Sequence, residues 1–167
     1  PGLNIQWNPL CGRNFEYYSE DPVVSGICAA AETLGVQSHP GRGTTIKHFA
    51  CNNLEDNRAY NNSHVAERTL REIYLKGFEI AVRDAQPMAV MSAYNMINGI
   101  HAANSADLLT KVLRNEWGFE GIVMTDWGTT AEAKPDLEGR LPLYGCSSAA
   151  ACIKAGNDLI MPGSRED

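Results

Sequence analysis

No run of apolar residues reaches the 18 or so that a membrane-crossing helix needs, and no charged-then-apolar leader opens the chain. No membrane partner is therefore expected. Basic residues do not dominate: 14 Lys and Arg face 20 Asp and Glu, a net charge of −6, so the basic face that a nucleic-acid partner requires is missing. The five cysteines, Cys11, Cys28, Cys51, Cys146 and Cys152, are scattered, odd in number and form no CxxC pair. That spacing argues against a metal site or a disulfide framework and favours buried or loop thiols, with a Cys146–Cys152 bridge left open. No Gly-rich phosphate loop follows any predicted strand, and there is no internal repeat or low-complexity stretch, so neither a nucleotide cofactor nor a metal is expected.

What is present reads as a globular α/β chain. Hydrophobic residues make up 44% and charged residues 20%, which separates it from disordered compositions. Strands are predicted at Leu3–Trp7, Thr44–Phe49, Met88–Ala93, Gly121–Thr125 and Asp158–Met161. Helices are predicted from Pro22 to a stop at Gly35 with Asp21 as N-cap, from His64 to Ala85 with Ser63 as cap, from Ser105 to Trp117 with closure at Gly118, and over Ser147–Ala155. Asn8–Asp21, Ala50–Asn62 and Asp126–Gly145 are predicted loops. The order β-α-β-α-β-α-β-α-β implies parallel strands joined by right-handed crossovers. A (β/α)8 TIM-type barrel takes about 250 residues, so 167 residues with five strands fit a partial barrel or an open doubly wound sheet. The opening Pro1-Gly2-Leu3-Asn4-Ile5 runs straight into a strand, and the expectation is an internal piece of a longer domain.

Chemistry in parallel α/β folds collects at the C-terminal strand ends. The loop after the first strand carries Arg13, Glu16 and Asp21. The second strand ends in Lys47-His48, the third in Tyr94-Asn95, the fourth in Asp126-Trp127, and the fifth near Met161-Pro162-Gly163. Each has an ordinary structural reading: Asp126 as a cap or turn residue, Lys47-His48 as solvated loop, Tyr94 as core, Trp127 as a plug, Arg13 as a partner of Glu16 or Glu20. Their common position instead suggests a polar pocket with an aromatic wall. Such a pocket suits a sugar, whose hydroxyls need many donors and acceptors and whose C–H face stacks on a ring.

At these residues the chain resembles glycoside hydrolase family 3, which contains β-glucosidases and β-xylosidases. The resemblance rests on Gly12-Arg13-Asn14-Phe15-Glu16 with Ser19-Glu20-Asp21-Pro22, Lys47-His48-Phe49, Glu67-Arg68-Thr69-Leu70-Arg71-Glu72, and Met91-Ser92-Ala93-Tyr94-Asn95 with Asn98-Gly99. It continues through Trp117-Gly118-Phe119-Glu120-Gly121, Thr125-Asp126-Trp127, and Ala155-Gly156-Asn157-Asp158 with Met161-Pro162-Gly163. The resemblance implies Asp126 as the nucleophile of a retaining mechanism. It implies Arg13, Lys47, His48, Met91 and Tyr94 around the reacting sugar, Trp127 as wall, and Arg68 either near the site or in a structural ion pair. Lys47, His48 and Arg13 would supply positive charge beside the Asp126 carboxylate. The implied partners are a β-glucoside or oligosaccharide and the remainder of the same protein, with self-association, sugar and compartment left open.

Two departures qualify the implied family pattern. Gln6-Trp7 stands where the family usually has an arginine, which removes a structural ion pair and not the chemistry. Nothing in these residues matches the early aspartate expected before Pro1 or the acid/base glutamate of a second domain. Residues 1–167 are thus expected to be the central to C-terminal part of the barrel domain and a poor catalyst alone. A branch that uses a histidine as acid/base is disfavoured, because Lys47-His48-Phe49 continues as Ala50-Cys51-Asn52-Asn53 and not as a Pro-Gly-His turn. Competing readings are a non-catalytic sugar-binding or structural piece, a β-xylosidase, and a Schiff-base aldolase using Lys47. The aldolase leaves Asp126-Trp127 unexplained. Asn61-Asn62-Ser63 is a formal glycosylation sequon.

Overall fold

A computed structural model describes residues 1–130 and 147–163. Most of the loop expected over Asp126–Gly145, and Cys146 of the bridge left open above, lie outside the described residues. The described elements are α1 (Pro22–Gln37), β1 (Thr45–Phe49), β2 (Asn62–Ser63), α2 (Glu67–Thr69), α3 (Lys76–Ala85), β3 (Ala89–Ser92), β4 (Met96–Ile97), β5 (Ile100–His101), a π-type helix Asp107–Glu116, β6 (Ile122–Thr125) and α4 (Ala149–Ala155).

The main sheet runs β1-β3-β6, parallel throughout. A bridge from Gly2 to Lys47 extends it beside β1, and a bridge from Met124 to Leu159 extends it beside β6. Each of the five segments therefore lies next to its successor in the chain. Among the described residues this progression shows no reversal of strand order of the kind found in a doubly wound sheet.

The predicted strand Leu3–Trp7 is bridged only at its edge, through Gly2, and the fifth is reduced to a single bridge at Leu159; side-chain hydrogen bonds supplement the few backbone ones at both. The Asn4 amide donates from Nδ2 to the His48 carbonyl and accepts at Oδ1 from the His48 N–H, both at 2.9 Å. Asp158 Oδ2 accepts from the Val123 N–H at 2.7 Å, and Thr125 Oγ1 accepts from the Met161 N–H at 2.9 Å.

Ile46, Val90 and Val123 are fully buried on one face of the sheet, under α3 and the Asp107–Glu116 helix. Phe49 anchors that core, with its ring edge-to-face to Phe78 at 5.0 Å and to Trp117 at 5.7 Å. By strand alternation Lys47, Met91 and Met124 fall on the other face. α1 crosses α3 closely at Gly26: a Cβ there would lie 2.8 Å from Ile80 Cβ and 2.9 Å from the Gly77 carbonyl.

Asp21 caps α1 as expected, accepting from the Val23 and Val24 N–H groups. The helix passes through Gly35 and ends at Gln37, where Pro40 and Gly41 follow; a lone glycine costs less than 1 kcal/mol or so and does not stop a packed helix. Ser63 is not the cap of the long helix. It belongs to β2, paired with Ile97 of β4, and the helix begins at Glu67 and continues through a π turn, Leu70–Tyr74, into α3. β4 and β5 form a hairpin turning at Asn98 and Gly99, both with positive φ (50° and 89°), the geometry that Asn-Gly favours in two-residue hairpin loops. Ser105 does serve its helix, accepting from the Leu108 N–H at 3.2 Å, and Gly118 closes it at φ 73°.

Phe78, fully buried, makes the closer of the two ring contacts at Phe49. Phe78→Ala in the intact protein is expected to cost about 3–5 kcal/mol in denaturant unfolding with an unchanged slope; a loss under about 1 kcal/mol would contradict this assignment of the core.

Candidate active site

β1 carries one extra residue between Ile46 and Phe49: Ile46 pairs with Val90 but Phe49 with Ser92. In a regular strand Lys47 and His48 would point to opposite faces. The bulge lets both serve one cluster. The Lys47–His48 and Phe49–Ala50 peptide bonds are cis.

Glu16 joins the two cations of the cluster. One of its oxygens accepts from Arg13 Nε and the other pairs with Lys47 Nζ at 3.0 Å. Burial opposes its ionisation, and the hydrogen bonds from Arg13 and Lys47 outweigh burial, so the carboxyl titrates below its ordinary value. Arg13 also reaches His48, with Nη1 2.8 Å from Nε2.

The state of His48 follows from its neighbours. The backbone partners of Asn4 fix which amide atom is oxygen, and Oδ1 lies 3.2 Å from His48 Nδ1. That ring nitrogen must donate. A guanidinium has no lone pair to offer, so Nε2 must accept. His48, 1% exposed, is therefore the neutral Nδ1–H tautomer. Burial, then the charges of Arg13 and Lys47, push its pKa down to about 3. This corrects the expectation that His48 adds positive charge beside Asp126.

Asp126 directly follows β6 and is 6% exposed. Its Oδ1 accepts from the Trp127 N–H at 2.7 Å. Its Oδ2 lies 3.6 Å from His48 Nε2 and accepts no hydrogen bond among the described residues. The geometry explains why: the facing imidazole atom is itself an acceptor. The Tyr94 hydroxyl donates to the Trp127 carbonyl. Burial, then the adjacent Asp126 charge and the approach of the hydroxyl to the Asp126 carboxylate, push the phenol up to about 12, so Tyr94 stays a neutral donor facing both the Trp127 carbonyl and Asp126.

The structure thus connects Arg13, Lys47, His48, Tyr94, Asp126 and Trp127. Trp127 itself is 63% exposed, with its backbone N–H on Asp126 and its carbonyl on Tyr94. Met91 is half-buried on β3, level with Met124 of β6; among the described residues no hydrogen bond ties it to the cluster. Arg68 takes its ion-pair reading, bonded to Glu72 at 3.0 Å on an exposed helix face.

Three contributors escaped the sequence reading. Asn4 holds His48 from 44 positions away. Glu16 was legible as a partner of Arg13 but not as the link to Lys47. Arg58, within a stretch read as polar loop, lies over the Tyr94 ring at 4.9 Å and pairs with Glu55. No local pattern marks Asn4 or Arg58.

The depressed His48 pKa has a stability consequence. Between about pH 6.5 and about 3 the unfolded chain binds a proton at this site that the folded one refuses, so its contribution to stability falls as pH drops through that window, by at most about 1.4 kcal/mol per pH unit. Long-range 15N–1H NMR on the intact protein at pH 5 is expected to show His48 neutral with its proton on Nδ1; an imidazolium signal at that pH would contradict the network.

Comparison with known proteins gives this cluster its context. The family model described as glycosyl hydrolase family 3 N terminal domain matches residues 1–166. A beta-glucosidase from Ruminococcus albus is 48% identical over 165 residues, 96% of this chain and 16% of that protein. An exo-alpha-(1->6)-L-arabinopyranosidase from Bifidobacterium breve is 52% identical over 167 residues, 100% of this chain and 20% of that protein. The solved structure of beta-glucosidase 3B from Thermotoga neapolitana in complex with glucose superposes with a TM-score of 0.84 at 54% identity, over 98% of this chain and 21% of that one. The chain therefore spans about a fifth of the length of these relatives. It belongs to glycosyl hydrolase family 3, its residues 1–166 matching that family's N-terminal domain.

Proposed function

We propose that the intact protein hydrolyses terminal non-reducing β-D-glucosyl or related β-glycosyl residues by a retaining double displacement with Asp126 as nucleophile. The observation that carries this reading is the Asp126 Oδ2 atom, held beside a neutral imidazole acceptor and bonded to no donor among the described residues. An oxygen that the neutral imidazole beside it does not engage favours Asp126 as the group that bonds an electrophilic carbon.

In the first step Oδ2 forms a bond to the anomeric carbon as the bond to the leaving oxygen breaks. In the second, water cleaves the glycosyl ester and frees the carboxylate. Lys47, Arg13, Arg58 and the Tyr94 hydroxyl are placed to hold sugar hydroxyls, Met91 to line the pocket, and Trp127 to stack. The leaving group needs a proton, and no member of the cluster is suited to give it. Glu16 is ionised and doubly engaged, Tyr94 stays protonated well above neutrality, and His48 Nε2 carries a lone pair. A retaining enzyme places its acid about 5–5.5 Å from the nucleophile, so that acid comes from a residue outside this cluster. The sequential order of the five parallel segments supports their reading as an arc of a (β/α)8 barrel, with residues 1–167 its central to C-terminal part.

The Bifidobacterium breve relative, named for an arabinopyranoside, makes a pentopyranoside the second sugar to test. Asp126→Asn in the intact protein is expected to lower turnover of an aryl β-glucoside by roughly 10⁴-fold or more, because a whole chemical role disappears. Turnover within tenfold of the parent would end the proposal.

A further inference from the structure

Asn4 is 2% exposed and lies on the segment that Gly2 bridges to Lys47. The Leu3 N–H donates to the Lys47 carbonyl at 2.6 Å, and this backbone bond sets the next residue opposite His48. One amide then makes three contacts with one residue. Nδ2 donates to the His48 carbonyl, and Oδ1 accepts from the His48 N–H at 2.9 Å and from ring Nδ1 at 3.2 Å. A carboxamide carries a donor and an acceptor with two lone pairs on one short stem, which is what this set requires. A purely structural clasp needs only the two backbone bonds. The third goes to the ring, and it selects the nitrogen that carries the proton. The consequence appears at the other ring nitrogen. Nε2 faces the Arg13 guanidinium at 2.8 Å and Asp126 Oδ2 at 3.6 Å. With the proton on Nδ1, Nε2 accepts from Arg13 and leaves Oδ2 unengaged. With a proton on Nε2, the ring opposes the Arg13 N–H and donates to Oδ2.

We infer that Asn4 is a positioning residue for the reaction of Asp126: by holding the His48 proton on Nδ1, it keeps Nε2 from donating to Asp126 Oδ2. Control of the His48 proton stands on the contacts alone; the effect on turnover rests on the proposed glycosidase activity. The charged groups around the ring set the sign of the test. Arg13 and Glu16 face it from the loop after the first strand, Lys47 from β1, Arg58 from the loop after β1, and Asp126 from beyond β6; Tyr94, beyond β3, faces Asp126. Burial, Arg13, Lys47 and Arg58 oppose an imidazolium, and Glu16 favours one. Asn4→Asp adds a carboxylate at Nδ1, which raises the pKa of the ring. Its charged form carries a proton on Nε2 and donates it in a hydrogen bond to Oδ2. The ring is charged below the raised pKa and neutral above it, so the defect deepens as pH falls.

The test compares Asn4→Asp and Asn4→Ser with the parent, all as intact proteins, in two arms. One arm is long-range 15N–1H NMR of the His48 ring; the other is kcat/KM for an aryl β-glucoside from about pH 5 to about pH 8, a range that brackets the ordinary histidine pKa. Asn4→Asp is expected to show an imidazolium at the acid end and to lose about tenfold to a hundredfold in kcat/KM there, the scale of one charge-assisted hydrogen bond on the attacking oxygen. Most of that loss is expected to be recovered at the alkaline end. Asn4→Ser is uncharged and too short to bond Nδ1 and both backbone groups, and it keeps the test open where the Asp variant does not fold. Its ring is expected to stay neutral with part of the proton on Nε2, and its kcat/KM to fall by a similar factor across the range. A ring that keeps its single proton on Nδ1 in the folded variants would overturn the inference. A loss in Asn4→Asp of equal size at both ends of the range would overturn it as well, by leaving Asn4 a structural role only. A parent protein that hydrolyses no glycoside defeats the glycosidase proposal alone, and the NMR arm still decides whether Asn4 holds the His48 proton.

Discussion

The guanidinium of Arg13 can only donate, and it donates to His48 Nε2. From that single constraint the electrostatics of the cluster follow. The imidazole has to be neutral, its proton has to sit on Nδ1, and Asn4 has to receive it. The lone pair on Nε2 is then turned to Arg13, and Asp126 Oδ2, 3.6 Å from the same nitrogen, receives nothing from it. Were His48 protonated, it would donate to Asp126 and tie up the very oxygen that a nucleophile must keep available. Burial first, and then the charges of Arg13 and Lys47, hold the ring neutral, and Glu16 offsets that charge, so the cluster does not become a bare patch of cations.

Position comes from the sheet. β1, β3 and β6 are parallel, and Ser92 pairs with both Phe49 and Thr125, so the residues beyond those levels emerge at one rim. Asp126 is the first residue past Thr125, and Tyr94 is the second past Ser92. Lys47 and His48 reach the same rim through the bulge in β1. The buried Phe49 beside them, wedged against Phe78 and Trp117, anchors that irregular backbone from the core side.

Much of this was legible in the residues. The alternation of strands and helices, the Asp21 cap, the Ser105 cap and the placement of Lys47-His48, Tyr94 and Asp126-Trp127 at strand ends all have local signatures. Apart from the helix stop placed at Gly35, the errors share one cause, competition from distant partners. Ser63 has the chemistry of a cap, but the β4–β5 hairpin captures it as a strand residue. The Asn98-Gly99 turn of that hairpin was present as a dipeptide, yet two-residue strands carry no periodicity from which to read it. At the first and last strands Asn4, Thr125 and Asp158 side chains share the pairing with a few backbone bonds, which no hydrophobic pattern encodes. The charge assigned to His48 failed for the same reason: its protonation depends on Arg13, 35 positions earlier, and on Asn4, 44 positions earlier.

The central claim is that Asp126 itself bonds to the sugar carbon. The most direct measurement is to treat the intact protein with an activated 2-deoxy-2-fluoro-β-glucoside, which forms the glycosyl ester and hydrolyses slowly, and then to map the added mass by peptide sequencing in a mass spectrometer. The account predicts one fluoroglucosyl group per chain, on the side chain of Asp126. A label on any other residue, or steady release of the fluorosugar with no labelled intermediate at all, would contradict it.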